Sequence, residues 1–205
     1  MAEALGDLGR QVFGTWFLGI PMVQWWTDMT VWERVFNGRG PMLDGRPETA
    51  NKPALKTLVE LGSGRGAMSA YLLLQCVQRG ITYYGFDHVA TQIGPTPVGK
   101  LLDIDRHIVT GDLWSDQNSG VLRKIIAEPA NHPLLLFCDN GNKPREFATF
   151  GPLLQAGDII AVHDWANEFT EGDVPAAMRE RLRRLYAPEI DLMAGGVLTR
   201  WWDVG

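Results

Sequence analysis

From Leu55 onward, short apolar runs alternate along the chain with segments whose apolar residues recur at helical spacing. The short runs are rich in β-branched and aromatic side chains and predict strands. They are, in chain order, LKTLVEL, ITYYGFD, DRHIVTGD, PLLLFCD, DIIAVHD and GVLTRWWDV. The segments predicted to be helical are AMSAYLLLQCVQRG, GVLRKIIAEP, REFATFGPLLQAG and VPAAMRERLRRLYAP. This alternation predicts an α/β domain in which helices cover a mostly parallel sheet.

The N-terminal part of the chain has a different pattern. An apolar segment interrupted by Gly, Pro and Gln is followed by NGRGPMLDGRPETANKP, which is typical of a loop. We therefore predict an N-terminal cap of short helices, ending in that loop, over residues 1–53, and a second domain over residues 54–205. The apolar segment is shorter than the ~20 residues of a membrane span, and the N-terminus lacks the basic region of a signal peptide. A cytoplasmic protein that does not enter a membrane is predicted.

Ionisable side chains close nearly every predicted strand. They are Glu60, Asp87, Asp112, Asp139 and the pair His163 and Asp164. Parallel α/β sheets bind ligands at the carboxyl ends of their strands, close to the point where the strand order reverses. We therefore expect these side chains to converge on one cleft.

A glycine-rich loop, LGSGRGAMS, follows the first predicted strand. Glycines at this position allow a tight turn and a close approach of a ligand to the backbone. Because Gly62, Gly64 and Ala67 also fit the nicotinamide fingerprint G-x-G-x-x-A, the loop alone leaves the ligand open. Glu60 favours a ligand that carries an ammonium and a sulfonium over a pyrophosphate. Little chain remains for a separate substrate domain of the kind that many dehydrogenases use.

The segment ELGSGRG resembles the first motif of the class I S-adenosylmethionine-dependent methyltransferases, an acidic residue followed by x-Gly-x-Gly-x-Gly. The resemblance implies that S-adenosylmethionine is bound by Glu60, Gly62, Ser63, Gly64 and Gly66. It also implies that Asp87 holds the ribose hydroxyls with His88 near the adenine, and that Asp112 accepts a hydrogen bond from the adenine beside Leu113. The fold class that follows is α/β: a Rossmann-like, doubly wound, mostly parallel seven-stranded sheet with helices on both faces and an N-terminal helical cap.

The segment from FCDNGNK to AVHDW resembles the metal-dependent small-molecule O-methyltransferases of the catechol and caffeoyl-coenzyme-A type. This resemblance implies metal ligation by Asp139, His163 and Asp164, and it makes Lys143 the basic lysine. The chain departs from the pattern because His163 replaces a carboxylate and Lys143 lies one residue further along. A hard cation such as Mg²⁺ prefers oxygen ligands, whereas a nitrogen ligand from His163 shifts the preference toward Mn, Fe or Zn.

A shorter resemblance lies before the glycine-rich loop. The segment LGIPMVQWWTDMTVWERVF resembles the cephalosporin hydroxylase/rhamnosyl O-methyltransferase family, in which a G-x-P-x-x-Q…D-M pattern precedes the loop. Together the resemblances predict a methyltransferase that acts on a small-molecule hydroxyl with the help of a divalent cation, with Lys143 or His163 as the base. The alternatives are a metal-independent enzyme with His163 or Asp164 as the base, a non-catalytic ligand-binding protein of the same fold, and a nicotinamide oxidoreductase.

Composition narrows the choice of partners. The net charge is −5, from 19 basic and 24 acidic residues, which argues against a nucleic-acid partner. Cys76 and Cys138 give neither a disulfide framework nor the spacing of a metal site. The predicted partner is a small-molecule acceptor. Its identity is left open, and so is the oligomeric state, with a homo-oligomer among the alternatives.

Overall fold

The computed structural model describes part of the N-terminal segment and most of the chain that follows it. The described residues are 15–22, 24–37, 55–186, 190–191, 193 and 197–205. The predicted loop NGRGPMLDGRPETANKP begins at Asn37, which the structure makes the last residue of a helix, and residues 38–53 of the loop lie outside the described ranges, so the division at residue 53 stays a prediction. No helix within the described ranges is both long enough and apolar enough to cross a bilayer.

The described N-terminal residues form a small hairpin and one helix. Strands β1 (Trp16–Phe17) and β2 (Ile20–Pro21) pair antiparallel, and helix α1 (Trp26–Asn37) follows. Trp32 of this helix is fully buried, with its ring 4.9 Å from that of Phe137 and 5.6 Å from that of Trp201. Helix α1 is therefore part of the core that the rest of the chain builds.

A seven-stranded sheet forms the centre of the molecule. Its strands are β3 (Thr57–Leu61), β4 (Thr82–Asp87), β5 (Ile108–Thr110), β6 (Leu134–Cys138), β7 (Ile159–Val162), β8 (Leu182–Leu185) and β9 (Arg200–Val204). The order is β5-β4-β3-β6-β7-β9-β8, in which β3 to β7 are parallel and β9 runs antiparallel to both of its neighbours. The predicted Rossmann-like, mostly parallel, seven-stranded sheet is confirmed. Strand order reverses between β3 and β6.

Helices cover both faces of the sheet. They are α2 (Ala67–Arg79), α3 (Pro97–Leu102), α4 (Asp116–Ala127), α5 (Lys143–Phe150) and the short α6 (Ala176–Arg179). Side chains alternate between the faces along each strand: Leu58 packs in a core with α1 and α2, whereas Val59 and Leu61 pack in a second core with α4 and α5. Strands buried on both sides explain why their sequences are apolar throughout.

One predicted helix is wrong over most of its length. The segment VPAAMRERLRRLYAP is helical only at Ala176–Arg179 and then forms strand β8. Pairing with β9, in which Leu182 faces Val204 and Leu185 faces Trp201, buries Leu185 at the sheet edge and overrides the local helical pattern. The helix predicted to close at Gly157 also ends earlier, at Phe150, and one 3₁₀ turn follows it.

Candidate functional site

A cleft of about 340 Å³ lies where the parallel strands end, on either side of the reversal in strand order. Many of the residues predicted for the site line it. They are Gly62, Ser63, Gly64, Gly66, Asp87, His88, Asp139, Lys143, His163 and Asp164. Glu60, Asp112 and Leu113 are not among the lining residues. The expected convergence of ionisable side chains therefore holds at the ends of β4, β6 and β7, whereas Glu60 of β3 and Asp112 after β5 do not line the cleft.

The glycine loop, residues 62–66, contains two glycines that leave no room for a side chain. Gly62 has φ 92°, and a Cβ there would lie 2.5 Å from the carbonyl oxygen of Asp139. Gly66 has φ 89°, and its Cβ would lie 2.5 Å from Ile93 Cγ2. Gly64 differs, because at φ 51° its Cβ would meet no atom within 4 Å. Gly62 and Gly66 are therefore required by packing, and Gly64 faces open space in the cleft.

Glu60 lies beneath the glycine loop and is fully buried. Ser69 Oγ donates a hydrogen bond of 2.5 Å to Glu60 Oε2, and the Tyr83 hydroxyl donates to the same oxygen. Burial raises the pKa of Glu60 to about 8, although these hydrogen bonds oppose the shift. The structure shows a carboxyl that supports the loop from below, and its predicted contact with the cofactor stays a prediction.

Asp87 ties the glycine loop to the end of β4. Its Oδ2 accepts a hydrogen bond of 2.7 Å from Gly64 N, and its Oδ1 accepts one of 3.0 Å from Val89 N. His88 Nδ1 lies 3.1 Å from Asp87 Oδ1, with the imidazole largely exposed. The carboxylate is thereby fixed at the cleft wall, and its predicted contact with the ribose of the cofactor stays a prediction.

The two residues predicted to contact the adenine, Asp112 and Leu113, follow strand β5. Asp112 Oδ1 accepts a hydrogen bond of 2.9 Å from Trp114 N, which closes a turn. Leu113 is buried in the core that packs on α4 and α5. These contacts hold the turn in place, and both predicted cofactor roles stay predictions.

The opposite wall of the cleft holds a charged cluster made of Asp139, Lys143, His163, Asp164 and Glu168. Lys143 Nζ lies 2.7 Å from Glu168 Oε2, 3.1 Å from Asp164 Oδ2 and 3.8 Å from Asp139 Oδ1. His163 Nδ1 lies 3.0 Å from Asp139 Oδ1 and 3.4 Å from Asp164 Oδ2. Three carboxylates thus share one ammonium and one imidazole.

The pKa values in the charged cluster follow from these contacts. Burial lowers the pKa of His163, but Asp139 and Asp164 outweigh burial and raise it to about 10. Hydrogen bonding to His163 lowers the pKa of Asp164 to about 2. Burial also acts to lower the pKa of Lys143, yet the hydrogen bond to Glu168 and the neighbouring carboxylates raise it overall. Without a metal ion, both Lys143 and His163 are therefore cations at neutral pH.

Asp139, His163 and Asp164 also form a donor set for a divalent cation. One ligand atom from each lies within 4.8 Å of the other two. Two ligands on opposite sides of a cation with bonds of about 2.0–2.3 Å are about 4–4.6 Å apart, so small adjustments bring the three atoms into range. His163 Nε2 is buried with no hydrogen-bond partner among the described residues. The donor set fits a cation once His163 has lost its extra proton.

The turn that carries Asp164 has an unusual backbone. Asp164 and Ala166 have φ values of 57° and 68°, a region that residues other than glycine enter at a cost of about 1–2 kcal/mol each. Hydrogen bonds hold the turn: Glu168 N donates to Asp164 O at 2.9 Å, and Trp165 N donates to Leu198 O at 2.8 Å. Strain of this kind concentrates at functional sites.

Sequence reasoning did not assign Gln24, Asp28 or Glu168 to the site. Gln24 Nε2 donates a hydrogen bond of 3.1 Å to Asp139 Oδ2. The buried Asp28 accepts hydrogen bonds from the backbone N–H groups of Leu198 and Thr199. The G-x-P-x-x-Q…D-M pattern contains Gln24 and Asp28 and was the available signal, whereas Glu168 had none.

Comparison with known proteins identifies the fold. No protein-family model and no curated protein sequence matches the chain. Solved structures of CmcI do match: the apo-structure has a TM-score of 0.60 at 19% sequence identity, covering 97% of this chain and 80% of that chain. A CmcI structure with Mg-SAM has a TM-score of 0.59 at 17% identity, covering 93% and 78%. One with SAH has a TM-score of 0.55 at 20% identity, covering 95% and 86%.

The chain has the same Rossmann-like fold as CmcI. In this fold, the glycine loop and Asp87 form one wall of the cleft and the charged cluster forms the other. The arrangement can hold a nucleoside against the first wall and polarise or deprotonate a second molecule at the opposite wall.

Proposed function

We propose that the protein is an S-adenosylmethionine-dependent methyltransferase that methylates a hydroxyl of a small molecule with the help of a divalent cation. The observation that carries the proposal is the meeting of the glycine loop and the charged cluster in one cleft. The structures of CmcI with SAH and with Mg-SAM, which have the same fold, support the choice of cofactor and cation.

The wall that carries the glycine loop suits the cofactor. Gly64 leaves open space at the cleft surface, and the Asp87 carboxylate is held there by Gly64 N and Val89 N. Each carboxylate oxygen has lone pairs beyond the one that accepts the backbone hydrogen bond. Asp87 can therefore accept hydrogen bonds from ribose hydroxyls without losing its structural contacts.

The charged cluster suits the acceptor hydroxyl. A divalent cation held by Asp139, His163 and Asp164 would bind that hydroxyl and lower its pKa. Lys143 is an ammonium in the metal-free protein and cannot accept a proton. The positive charge of a cation at the neighbouring carboxylates would lower the pKa of Lys143, which is the condition for its predicted role as the base. Binding the cofactor and the acceptor in one cleft orients their reacting groups toward each other.

Titration calorimetry with S-adenosylmethionine and S-adenosylhomocysteine tests the cofactor assignment. We expect both to bind, and we expect Gly64→Ala to weaken binding at least about ten-fold, because the added methyl group enters the open space at the cleft. Gly80→Ala is the matched control: Gly80 has φ 68°, no atom within 4 Å of its Cβ, and a place at the end of α2 outside the cleft. Absence of binding of either compound at millimolar concentration would end the proposal.

A second candidate function keeps the cofactor and dispenses with the metal. It is favoured by the 3.0 Å contact between His163 Nδ1 and Asp139 Oδ1, which leaves Nε2 without a partner among the described residues. Because the pKa of His163 is raised to about 10, Nε2 can accept a proton only in the minor fraction of molecules whose imidazole is neutral, so this candidate requires methyl transfer to become faster as the pH rises toward 10. Methyl transfer that persists after chelation, and that is unchanged when Mg²⁺ or Mn²⁺ is added back, would select this candidate over the metal-assisted one.

A further inference from the structure

A second cavity of about 390 Å³ lies next to the cleft and has no role in the reaction described so far. The residues that line it include Trp25, Trp165, Leu198 and Arg200. Two segments connect it to the cleft. Gln24 lines the cleft and Trp25 lines the cavity, and in the same way Asp164 lines the cleft and Trp165 lines the cavity. Because consecutive Cα atoms are about 3.8 Å apart, the cavity adjoins the cleft at these two positions.

The walls of the second cavity are held in place. Trp165 N donates a hydrogen bond of 2.8 Å to Leu198 O, which joins the turn after β7 to the segment that leads into β9. Asp28 accepts hydrogen bonds from Leu198 N and Thr199 N, and it also accepts one of 3.4 Å from Trp25 N. The indole walls are therefore anchored to the same elements that position the charged cluster.

Arg200 gives the second cavity its charge. The guanidinium carbon lies 5.5 Å from the centre of the Trp165 ring, and Nη1 donates to the carbonyl oxygens of Val197 and Thr199. Burial lowers the pKa of Arg200 to about 10, so the side chain is still a cation at neutral pH. No carboxylate in the described part of the chain forms an ion pair with it, and Asp28 and Asp191 attract it only from longer range. A partly buried cation without an ion-pair partner is stabilised by an anionic ligand.

We propose that the second cavity binds the methyl acceptor through a carboxylate on a flat, apolar body, so that the acceptor's hydroxyl reaches the charged cluster. The two indoles suit a flat body, and the planar guanidinium suits a carboxylate. Arg200 supplies one positive charge to the cavity, and the nearby Arg184 is already paired with Asp191 at 3.2 Å. The cavity therefore matches a ligand with a single negative charge. The proposal rests on the proposed function for the identity of the bound molecule as the acceptor.

The test compares 3-hydroxybenzoate with 3-hydroxybenzamide, in which a neutral amide of similar shape replaces the carboxylate, by titration calorimetry in the presence of chelator and without cofactor. We expect the acid to bind the unchanged protein at least about ten-fold more tightly than the amide. Arg200→Gln should abolish this difference. Arg183→Gln is the matched control, since Arg183 is an exposed arginine of the neighbouring strand paired with Asp203, and it should keep the difference.

Two further measurements keep the test decisive. Trp25→Ala should weaken the acid and the amide to the same extent, because it removes a ring and no charge, and S-adenosylhomocysteine binding should be unchanged in Arg200→Gln, which also shows that this variant is folded. Equal affinities for acid and amide, no binding of either at millimolar concentration, or a difference that survives Arg200→Gln would each overturn the proposal. If the unchanged protein does not bind S-adenosylhomocysteine, the proposed function is overturned instead. The comparison of the acid with the amide would still decide what the cavity binds.

Discussion

The two walls of the cleft are built in different ways. The glycine loop and its supports are held by hydrogen bonds from uncharged groups: Glu60 Oε2 accepts from Ser69 and Tyr83, although Glu60 Oε1 has no partner among the described residues, and Asp87 accepts from Gly64 N and Val89 N. The charged cluster is held mainly by attraction between its own side chains, and His163 Nε2 lacks a partner in the described structure.

This difference bears on what a ligand does to each wall. A ligand at the glycine loop meets groups whose positions are already fixed, so little has to move on binding. A cation or acceptor at the charged cluster has to change existing ion pairs and release the proton of His163. The first wall is therefore prepared for binding, whereas the second is expected to respond to pH and to metal ions.

The largest expected effect on stability comes from a substitution at Gly62, where the two walls of the cleft are in contact. In Gly62→Ala, the added Cβ lies 2.5 Å from Asp139 O and 2.7 Å from Asn140 Cα, at φ 92°. We expect the free energy of unfolding to fall by about 3–5 kcal/mol, because backbone has to move and the conformation is strained. Urea unfolding measures this loss. Gly80→Ala, with φ 68° and open space around it, should lose only about 1 kcal/mol, and equal losses would contradict the close contact between the walls.

The next effect is the pH dependence of the charged cluster without metal. The pKa of His163 is raised from 6.5 to about 10, so its contribution to stability is complete below pH 6.5 and is lost as the pH rises toward 10. His163→Gln should therefore be less stable than the unchanged protein by a few kcal/mol at pH 6, with the difference shrinking toward pH 10. Urea unfolding in chelator at pH 6, 8 and 10 checks this, and parallel pH profiles for both proteins would refute it.

Removal of the shared ammonium should have a moderate effect. Lys143→Met leaves Asp139, Asp164 and Glu168 without the cation that now lies between them. We expect a loss of about 2 kcal/mol at pH 7.5, a value reduced for the partial exposure of Asp164 and Glu168. The loss should shrink at lower pH as the carboxylates take up protons. Thermal and urea unfolding measure the loss. The control is Lys100→Met, at an exposed lysine, and a loss of the same size in that variant would argue against a stabilising role of the ion pairs in the charged cluster.

The smallest effect concerns the link between the N-terminal segment and the charged cluster. Gln24→Met removes a buried hydrogen bond to Asp139 Oδ2 and should cost about 1 kcal/mol. Gln75→Met is the matched control, because Gln75 Nε2 also donates to a carboxylate, Glu33 Oε1, at 2.9 Å but at the surface. It should cost a few tenths of a kcal/mol. Calorimetry with Mn²⁺ should detect a change in affinity only for Gln24→Met, and the same change in both variants would remove Gln24 from the site.

Local patterns predicted one wall better than the other. The glycine loop is contiguous, so its turn and its acidic neighbour can be recognised from residues 60–66 alone. Asp139, His163 and Asp164 were predicted because each ends an apolar strand and the strands of a parallel sheet end at the same edge. The partner of Asp139 in the N-terminal segment, Gln24, is 115 positions away and could not be placed by any periodicity.

The errors have physical causes of the same kind. Strand β8 has a helical pattern and becomes a strand only because β9 offers it a partner. Glu168 reaches Lys143 because two residues of the turn after β7 adopt left-handed backbone conformations, at Asp164 and Ala166. Asp164 is a residue type that enters this region more often than most, but Ala166 is not, so the sequence does not indicate two such residues in one turn.

The position of β9 within the sheet sets an order of assembly. Strand β9 lies between β7 and β8, although β8 precedes it along the chain. During synthesis β8 therefore emerges before the only strand it pairs with in the described sheet, and it can join the sheet only through β9. Arg200 is the first residue of β9. The cavity that we assign to the acceptor therefore cannot be complete until β9 has been made, later than the glycine loop and its strands.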